Sequence, residues 1–421
     1  MPRECLVGLD IGTTKVAAFV GEVAKGGEVE IVGMGEAPSR GIKRGVVVDI
    51  DEASAAIAQA IQAATTATGY DIHSVIVGVT GEHIASLNSK AVVAIPPNSR
   101  EITAADVDKA IEQSRVIVLP PDREIINAVP RSYIVDGQDG IRYPVGMSGA
   151  RLEVETHIVT GAIALLRNVA KAIHQAGLSV EATVLEPIAS AEAVLSTDER
   201  NLGVAVVDVG GGTSDIAIFV DGDVFYSSVV PIGGSFVTRD ISIGLRVSLD
   251  EAERIKRRYG NAAVDVGRNR DDVFSGATLA EGDTQQLPLV DLEDIIQARM
   301  EELFEHVGRE IKKSGYHSML PAGIILTGGG AELAGAAQLC KNITGLPTRL
   351  GIPSNALKID SKYQSPMYAT GIGLVLYGAH YTLAGAQGYR AHGYGQLPAG
   401  LGGFAKALQR FFARIMGAGD S

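Results

Sequence analysis

The chain has 421 residues, a formal net charge of −12, 46% hydrophobic residues, 51 glycines and no tryptophan. This length supports two or three domains with buried cores, and the glycine content favours an α/β protein with many tight turns. The acidic balance argues against a nucleic-acid-binding protein, because no basic patch occurs outside the C-terminal tail.

The compartment is indicated by the cysteines and by the N-terminus. Cys5 and Cys340 are the only cysteines and both lie in apolar sequence, which predicts a reducing cytosol and no disulfide framework. The first residues enter a strand without a signal-peptide pattern, and no apolar run approaches about 18 residues. We therefore expect a protein that lies on the cytosolic face of a membrane without crossing it.

A pattern near the N-terminus returns 198 residues later. Each copy is an apolar strand that ends in an aspartate (Asp10 or Asp208), then a Gly/Thr turn, then a second apolar strand at 16–20 or 216–220. The repeat predicts two similar halves that face each other. Because the turn joins strand to strand, the pattern is not that of a P-loop or a Rossmann turn, which lead into a helix.

Between the two copies, the pattern predicts an alanine-rich helix at 51–68 and a buried strand at 74–80. The block 84–160 has strands and a helix of its own, which indicates an inserted subdomain. Its strand-like runs are 91–95, 124–129 and 132–135, and its helix is 104–115.

The second half is predicted to be richer in helix. Charged helices are expected at 249–259 and 292–313, on either side of a polar, irregular stretch at 260–286. A buried strand at 323–326 and an apolar helix at 365–381 follow.

The two turns have the composition of an anion-binding nest, in which backbone N–H groups converge and glycine lets phosphate oxygens approach closely. Lys15 adds a point charge for a β- or γ-phosphate. Asp10 and Asp208 are placed to hold Mg²⁺, most readily through water. Either turn alone is an ordinary hairpin more often than a site, so the prediction depends on both copies having a leading aspartate. The turn residues are Gly12, Thr13 and Thr14 in the first copy, and Gly210, Gly211, Gly212 and Thr213 in the second.

Three weaker signals accompany the turns. The cluster Gly328, Gly329 and Gly330 follows a buried strand, and is either a plain turn or a surface for a base and ribose. Glu253 and Lys256 share a helical face and either reach ribose hydroxyls or form a surface ion pair. Glu186 stands between a strand and a helix, where it either orients water toward a γ-phosphate or favours the helix N-terminus.

The C-terminal segment 404–416 has the pattern of a membrane-surface helix. At about 100° per residue its apolar side chains fall within an arc of about 140°, and three cations lie opposite. The alternative is a last helix packed on the core. Seven glycines in 384–403 predict a flexible tether of about 25 Å, which disfavours that alternative. The membrane-facing set is Phe404, Leu408, Phe411, Phe412 and Ile415, with the cations Lys406, Arg410 and Arg414.

Five motifs, in the expected order, resemble those of the ATPase superfamily of actin, Hsp70 chaperones and sugar kinases. They are 10–15, 186–191, 208–213, 326–330 and 368–373. Four further features narrow the resemblance to the FtsA family of bacterial cell-division proteins. They are the segment 39–45, the run 231–234 with Thr238 and Asp240, the Glu253–Lys256 pair and the tethered C-terminal helix.

The resemblance implies an α/β, actin-like two-lobed ATPase fold with an inserted subdomain. It implies ATP and Mg²⁺ binding, at most a weak ATPase activity, and assembly into actin-like filaments. It also implies tethering of FtsZ to the cytoplasmic face of the inner membrane at the division septum, and recruitment of later division proteins. On this ground Gly233 is predicted to bind the cofactor. Arg299 and Glu302 are predicted to contact the C-terminal peptide of FtsZ.

The same resemblance divides the chain into subdomains. The first-lobe core is 1–83 with 161–200, and the insertion is 84–160. The second-lobe core is 201–230 with 302–383, and its outer subdomain is 231–301. A linker at 384–403 and the membrane helix at 404–416 complete the chain.

Three other classes of protein share part of this pattern. A sugar kinase shares the two turns, but no segment here requires a general-base aspartate and no kinase needs an amphipathic tail. An actin-like pilus-assembly ATPase normally lacks a lipid-binding tail. A chaperone would have a peptide-binding domain after the ATPase core. The sequence therefore favours a nucleotide-dependent scaffold over a metabolic enzyme.

Overall fold

The computed structural model describes residues 4–24, 28–96, 101–263, 271–279, 284–354 and 358–386. The predicted membrane helix and the linker beyond residue 386 lie outside these ranges. No helix within the ranges is long and apolar enough to cross a membrane.

The strands are β1 (Glu4–Ile11), β2 (Lys15–Val23), β3 (Val29–Pro38), β4 (Ile42–Lys43), β5 (Val46–Val47), β6 (Ser74–Val79), β7 (Ala85–Ala94), β8 (Arg123–Val135), β9 (Gln138–Ile141), β10 (Arg151–Ala162), β11 (Ser179–Leu185), β12 (Val204–Val209), β13 (Ser214–Val220), β14 (Asp223–Val230), β15 (Val273–Ala277), β16 (Thr284–Pro288), β17 (Ile324–Thr327) and β18 (Thr348–Leu350). The helices are α1 (Ile50–Thr68), α2 (Ala104–Ser114), α3 (Ile163–Gln175), α4 (Glu186–Val194), α5 (Thr197–Leu202), α6 (Gly234–Leu245), α7 (Leu249–Tyr259), α8 (Leu289–Lys313), α9 (Ala336–Thr344) and α10 (Ala369–Ala386).

The two copies of the sequence pattern form two five-stranded sheets of the same design. The strand order is β11-β6-β1-β2-β3 in the first sheet and β18-β17-β12-β13-β14 in the second. In each sheet the first strand of the copy pairs antiparallel with the next strand and parallel with a later one, β6 or β17. The repeat in the sequence is therefore a repeat of the fold.

The connecting helices α4 and α10 pack against each other between the two sheets. A Cβ atom at Gly373 would lie 1.8 Å from the carbonyl oxygen of Ala189, so only glycine permits this approach. Phe19 of β2 and Phe219 of β13 are fully buried in the same apolar cluster. One core thus joins the bases of both lobes. Because α10 extends to Ala386, the first three residues of the predicted linker are helical.

The inserted subdomain is an antiparallel sheet in the order β7-β10-β8-β9, with α2 packed on it. The sequence predicted two strands separated at Pro130, whereas the structure has the single strand β8. The pairing skips Arg131, because Thr156 pairs with Pro130 and Glu155 with Ser132. Proline lacks an N–H group, and the resulting bulge absorbs it without ending the strand.

The bulge directs Arg131 toward the second lobe. Its guanidinium lies 3.8 Å from the centroid of the Phe225 ring and donates to the hydroxyl of Tyr316 at 2.8 Å. His157 of β10 is hydrogen-bonded to Ser227 of β14 at 3.0 Å, and burial, followed by the charge of Arg131, lowers the pKa of His157 to about 3. The inserted subdomain therefore docks on the edge strand β14 through buried polar groups.

The outer part of the second lobe contains α6, α7, α8 and the hairpin β15–β16. The prediction of an irregular stretch at 260–286 was wrong for this hairpin. Buried and exposed residues alternate along β15, with Phe274 and Gly276 inside, which is the period of a strand. The run is only five residues long, so its periodicity was too short to recognise.

Candidate nucleotide-binding site

The turns between β1 and β2 and between β12 and β13 face each other. A Cβ atom at Gly211 would lie 2.6 Å from Cγ2 of Thr14, and one at Gly212 would lie 2.6 Å from Oγ1 of Thr13. The second turn is closed by a hydrogen bond from the N–H of Gly210 to the carbonyl of Thr213, at 2.9 Å. The structure therefore brings the two predicted turns together at one cleft.

The start of α6 packs directly on the second turn. Gly234 donates its N–H to the carbonyl of Gly210 at 2.9 Å, and Ser235 donates to the carbonyl of Gly211 at 2.8 Å. A Cβ atom at Gly233 would lie 2.6 Å from the Gly210 carbonyl oxygen, so a side chain there would force the helix off the turn. Gly233 thus supports the backbone of the turn.

Lys15 begins β2, at the end of the first turn. Its ammonium is buried and has no hydrogen-bond partner among the described residues, and it lies 3.9 Å from the centroid of the Tyr368 ring. Burial lowers the pKa of Lys15, and the charge of Asp10 opposes that shift. A buried donor without an acceptor is costly, and a phosphate oxygen would supply the missing acceptor.

Asp10 and Asp208, at the ends of β1 and β12, lie near Glu186 on the cleft floor. Burial, and then the charges of Asp10, Asp215 and Asp208, raise the pKa of Glu186 well above its ordinary value. The pKa of Asp10 rises to about 6, mainly through burial, with Lys15 opposing the rise and Asp208 adding to it. Crowded buried carboxylates of this kind fit a nearby cation, which would favour their ionised forms.

Asp208 is held in place by two hydroxyl groups. Its Oδ2 accepts a hydrogen bond from Ser190 of α4 at 2.5 Å and another from Thr370 of α10 at 2.9 Å. Burial raises the pKa of Asp208, and these two bonds oppose the rise. On its other side, a Cβ atom at Gly328 would lie 2.2 Å from Oδ1, and Gly328 has a φ of 84° that also favours glycine.

Oxygen donors of this kind suit Mg²⁺, which keeps several waters when it binds. In the described part of the chain, no group of three or more His, Cys, Asp or Glu side chains is arranged to hold a metal ion. The role of Asp10 and Asp208 in holding Mg²⁺ through water stays a prediction.

Glu253 and Lys256 of α7 form an ion pair of 2.6 Å that also holds the start of α6. Lys256 donates to the carbonyl of Gly234 at 3.1 Å and to Thr238 at 2.8 Å. Burial would raise the pKa of Glu253, but the attraction of Lys256 and two hydrogen bonds outweigh it and lower that pKa. The pair is thus a fixed network and not a loose surface contact.

The third glycine cluster lies beside this network. A Cβ atom at Gly234 would be 3.8 Å from Nζ of Lys256 and 3.9 Å from Cα of Gly330. Around Gly329, Cβ of Met367 is the one atom of the described residues outside its chain neighbours that would lie within 4 Å of such an added carbon. Gly330 is closely packed on Val209, so Gly329 is the open member of the cluster, and contact of this surface with a base and ribose stays a prediction.

Two further residues of the cleft, Asp215 and Thr80, were not predicted from the sequence. Asp215 lies opposite Asp208 in the β12–β13 ladder, and Thr80, which follows β6 of the other lobe, donates its hydroxyl to Oδ1 of Asp215. Thr213 donates to Oδ2 at 3.1 Å. The second aspartate of the 208–215 run was a visible signal, whereas nothing in the sequence singles out Thr80.

Arg299 and Glu302, predicted to bind a partner, lie one turn apart on α8. The guanidinium of Arg299 donates to Asp240 of α6 at 2.5 Å and to Glu302. These two residues lie on either side of the predicted boundary between the outer subdomain (231–301) and the second-lobe core, and their role as a docking site remains a prediction. The predicted membrane-facing residues of 404–416 lie outside the described residues.

Two lobes of repeated topology around a glycine-lined cleft define an actin-like, nucleotide-binding ATPase fold. Solved structures support this at the level of fold. The chain resembles one in the PilM–PilN type IV pilus biogenesis complex, with a TM-score of 0.63 and 19% identity over 90% of this chain and 99% of that one. It also resembles MreB5 of Spiroplasma citri bound to ADP, with a TM-score of 0.53 and 15% identity over 91% and 99%.

The family is shown by sequence relatives. The chain is 41% identical to the cell division protein FtsA of Pseudomonas aeruginosa, over 89% of each chain. It is 34% identical to the FtsA of Escherichia coli K12, over 91% of this chain and 92% of the relative. The family model for cell division protein FtsA matches residues 205–373, and the model for the SHS2 domain inserted in FtsA matches residues 81–160. The chain belongs to the FtsA family of cell-division proteins.

Proposed function

We propose that this chain is an ATP-dependent scaffold of bacterial cell division that tethers FtsZ filaments to the cytoplasmic membrane. The observation that carries the nucleotide part is the contact between the two glycine turns, with the unpaired ammonium of Lys15 beside them. The family relationship supports the role in division.

Each cleft residue has a part in holding Mg-ATP. The backbone of the two turns and Lys15 bind phosphate oxygens, and Asp10 and Asp208 hold Mg²⁺ through water. Glu253 and Lys256 face the ribose, and the cluster at 328–330 lies against the base. The bound nucleotide fixes the two lobes relative to each other and so favours a shape that polymerises.

Glu186 is the residue that orients a water molecule in a slow hydrolysis. Burial and the neighbouring carboxylates raise its pKa and so favour its protonated form, which makes it a poorer proton acceptor. Mg²⁺ nearby would lower that pKa and restore the carboxylate. We therefore expect turnover to be weak and to depend on the metal, as suits a switch that controls assembly.

The tail at 404–416 supplies the membrane contact. Three cations contribute about 1 kcal/mol each on an anionic surface, and the apolar arc adds partial burial. One tail is a weak anchor, so a monomer leaves the membrane easily, whereas a filament that presents many tails stays. This places the protein peripherally on the cytoplasmic face of the inner membrane at the septum.

The partner surface is the outer part of the second lobe. We assign the C-terminal peptide of FtsZ to residues 231–301 and the rest of α8, with Arg299 and Glu302 as contacts. Arg299 is held in place by Asp240, so a peptide carboxylate would meet an oriented guanidinium. Recruitment of later division proteins would follow from the assembled filament.

Sedimentation with anionic liposomes tests the two halves of this proposal separately. Phe411→Glu should abolish ATP-dependent pelleting and leave ATP binding intact, and removal of the last 18 residues should do the same. Gln409→Glu adds the same charge outside the apolar arc and should still pellet. Asp208→Ala should lower affinity for Mg-ATP. Pelleting that survives Phe411→Glu would refute the membrane role.

A further inference from the structure

The ammonium of Lys15 rests on the face of the Tyr368 ring. Nζ lies 3.9 Å from the ring centroid and has no hydrogen-bond partner among the described residues. A cation that is shielded from water without a hydrogen bond needs another source of stabilisation. The negative face of an aromatic ring at this distance provides part of it, in addition to the charge of Asp10.

The Tyr368 ring is itself held by two others. Its centroid lies 5.5 Å from that of Phe19 and 6.4 Å from that of Tyr363, both in edge-on geometry, and Phe19 is fully buried. Phe19 and Tyr363 pack edge-on against each other at 5.8 Å. The three rings form a closed triangle, so the Tyr368 ring has little freedom to turn away from Lys15.

The backbone that carries this ring is tied to the third glycine cluster. Tyr368 ends a 3₁₀ turn that begins at Pro366, and the carbonyl of Pro366 accepts hydrogen bonds from the N–H of Gly328 at 3.1 Å and from the hydroxyl of Thr327 at 3.2 Å. The same short segment thus touches the first turn through Tyr368 and the second lobe through Pro366.

We propose that Tyr368 is a positioning residue for phosphate recognition: its ring face holds the ammonium of Lys15 unpaired and largely dry beside the first turn, ready for a phosphate oxygen. The inference rests on the proposed nucleotide-binding function. The face of the ring does the positioning, and the hydroxyl takes no part. The ligands that benefit are nucleoside di- and triphosphates, since a monophosphate has neither the β- nor the γ-phosphate that Lys15 is expected to contact.

The test is calorimetric titration of the full chain with ATP, ADP and AMP. Tyr368→Leu removes the ring face and should weaken ATP binding about tenfold. Tyr368→Phe keeps the face and should stay within about twofold of the wild type. AMP affinity should not change in either variant. In a Lys15→Met background, Tyr368→Leu should cause no further loss, because the ring acts through the ammonium.

Tyr363→Leu is the matched control, since it removes a ring of the same triangle that does not face Lys15. Both leucine variants should lower the midpoint of thermal unfolding, but only Tyr368→Leu should weaken ATP binding. If Tyr368→Leu does not fold, it is replaced by Tyr368→Met, whose longer and more flexible side chain adapts better to the space of the ring and has no aromatic face.

Three results would overturn the inference. They are wild-type affinity in Tyr368→Leu, an equal loss in Tyr368→Phe, and an equal loss in Tyr363→Leu. If the wild type itself binds no ATP, the proposed function fails and the inference with it. If the wild type binds ATP and Lys15→Met weakens binding while Tyr368→Leu does not, only the role of Tyr368 is refuted.

Discussion

The two copies of the repeated unit have the same strand order and turn length, yet their side chains carry different charges. The ladder pairs Asp10 with Ala17 in the first copy and Asp208 with Asp215 in the second. Ala17 and Asp215 therefore occupy equivalent places, and so do Lys15 and Thr213. The first copy supplies a cation at the turn, and the second supplies an additional carboxylate.

This difference suits a ligand whose two sides differ in charge. Phosphate oxygens are attracted to the side of Lys15, and a metal ion is attracted to the side of the paired carboxylates. A symmetric pair of turns would attract anions or cations on both sides and could not orient a metal–nucleotide complex. If the chain binds a metal–nucleotide complex as proposed, the residues at these two positions would give the site its direction.

Asp215→Asn should produce the largest effect, which is on the pH dependence of the unfolding free energy. The variant gives the second copy a neutral side chain, as the first copy has at Ala17. Burial raises the pKa of Asp215 to about 7, with the bond from Thr80 opposing the rise and Asp208 adding to it. Such a carboxylate contributes stability that is complete below its ordinary pKa of about 4 and is lost as pH rises through about 7. From pH 4.5 to 8, the unfolding free energy of the nucleotide-free wild type should fall by about 3 kcal/mol more than that of the variant.

Urea unfolding at a series of pH values measures this difference. His83, whose pKa is lowered to about 4 by burial and then by Arg123, and His157 act in the opposite direction below pH 6.5. Both histidines are present in both proteins, so their effect cancels in the comparison. Parallel pH profiles for the two proteins would contradict the prediction.

Asp208→Asn and Asp10→Asn compare the leading aspartates of the two copies. Asp208 is oriented by Ser190 and Thr370, so it should hold the water shell of a metal better. We expect affinity for Mg-ATP to fall about 100-fold in Asp208→Asn and about tenfold in Asp10→Asn. With EDTA present, both variants should bind ATP like the wild type. Equal losses of affinity in the two variants, or losses that persist in EDTA, would contradict a larger role of Asp208 in holding the metal.

Lys15→Met and Thr213→Ala compare the equivalent turn positions. Removing the ammonium takes away a charge-assisted hydrogen bond to phosphate and should weaken ATP binding about 30-fold. Removing the hydroxyl of Thr213 loses a 3.1 Å bond to Asp215 and should weaken it about threefold. The loss of ATP affinity in Lys15→Met should remain without Mg²⁺, unlike the losses in the two aspartate variants. Fluorescence titration with a labelled ATP analogue measures the affinity of each variant.

Much of the candidate site could be predicted from the sequence, since the leading aspartates, the turns and Lys15 are all local signals. The repeat was visible because β1 and β12 are continuous apolar runs that end in the same residue type. Asp215 was overlooked because the apolar runs of the second strands align best with an offset of 200, whereas the ladders show that the structural offset is 198. The equivalence of Ala17 and Asp215 appears only in the pairing.

Contacts between segments that are far apart in the sequence could not be predicted, for a physical reason. Thr80 meets Asp215 across 135 residues, and Tyr368 meets Lys15 only because α10 returns to the first sheet. Neither threonine nor tyrosine has a local pattern that marks such a contact. The bulge at Pro130 shows the opposite case, in which a local signal was present but was interpreted as a strand end.

The smallest expected effect tests whether the two turns touch. Gly211→Ala places a methyl group 2.6 Å from Cγ2 of Thr14, and should cost about 1 kcal/mol of stability and weaken ATP binding. Thr14→Ser removes that Cγ2 atom, so the double variant should regain most of the lost stability. Urea unfolding measures this recovery. Gly210→Ala is the matched control, because its added carbon would meet only the carbonyl oxygen of Thr213, at 3.2 Å, within its own turn.

Thr14→Ser should therefore leave the cost of Gly210→Ala unchanged, since no atom of the first turn lies near that carbon. Rescue of Gly211→Ala alone requires that the methyl group of Thr14 and the backbone of Gly211 be in contact in the folded protein. If Thr14→Ser shifts both glycine variants equally, the turns do not meet in solution. Lys15 of the first copy and the paired carboxylates of the second copy would then not belong to a single site.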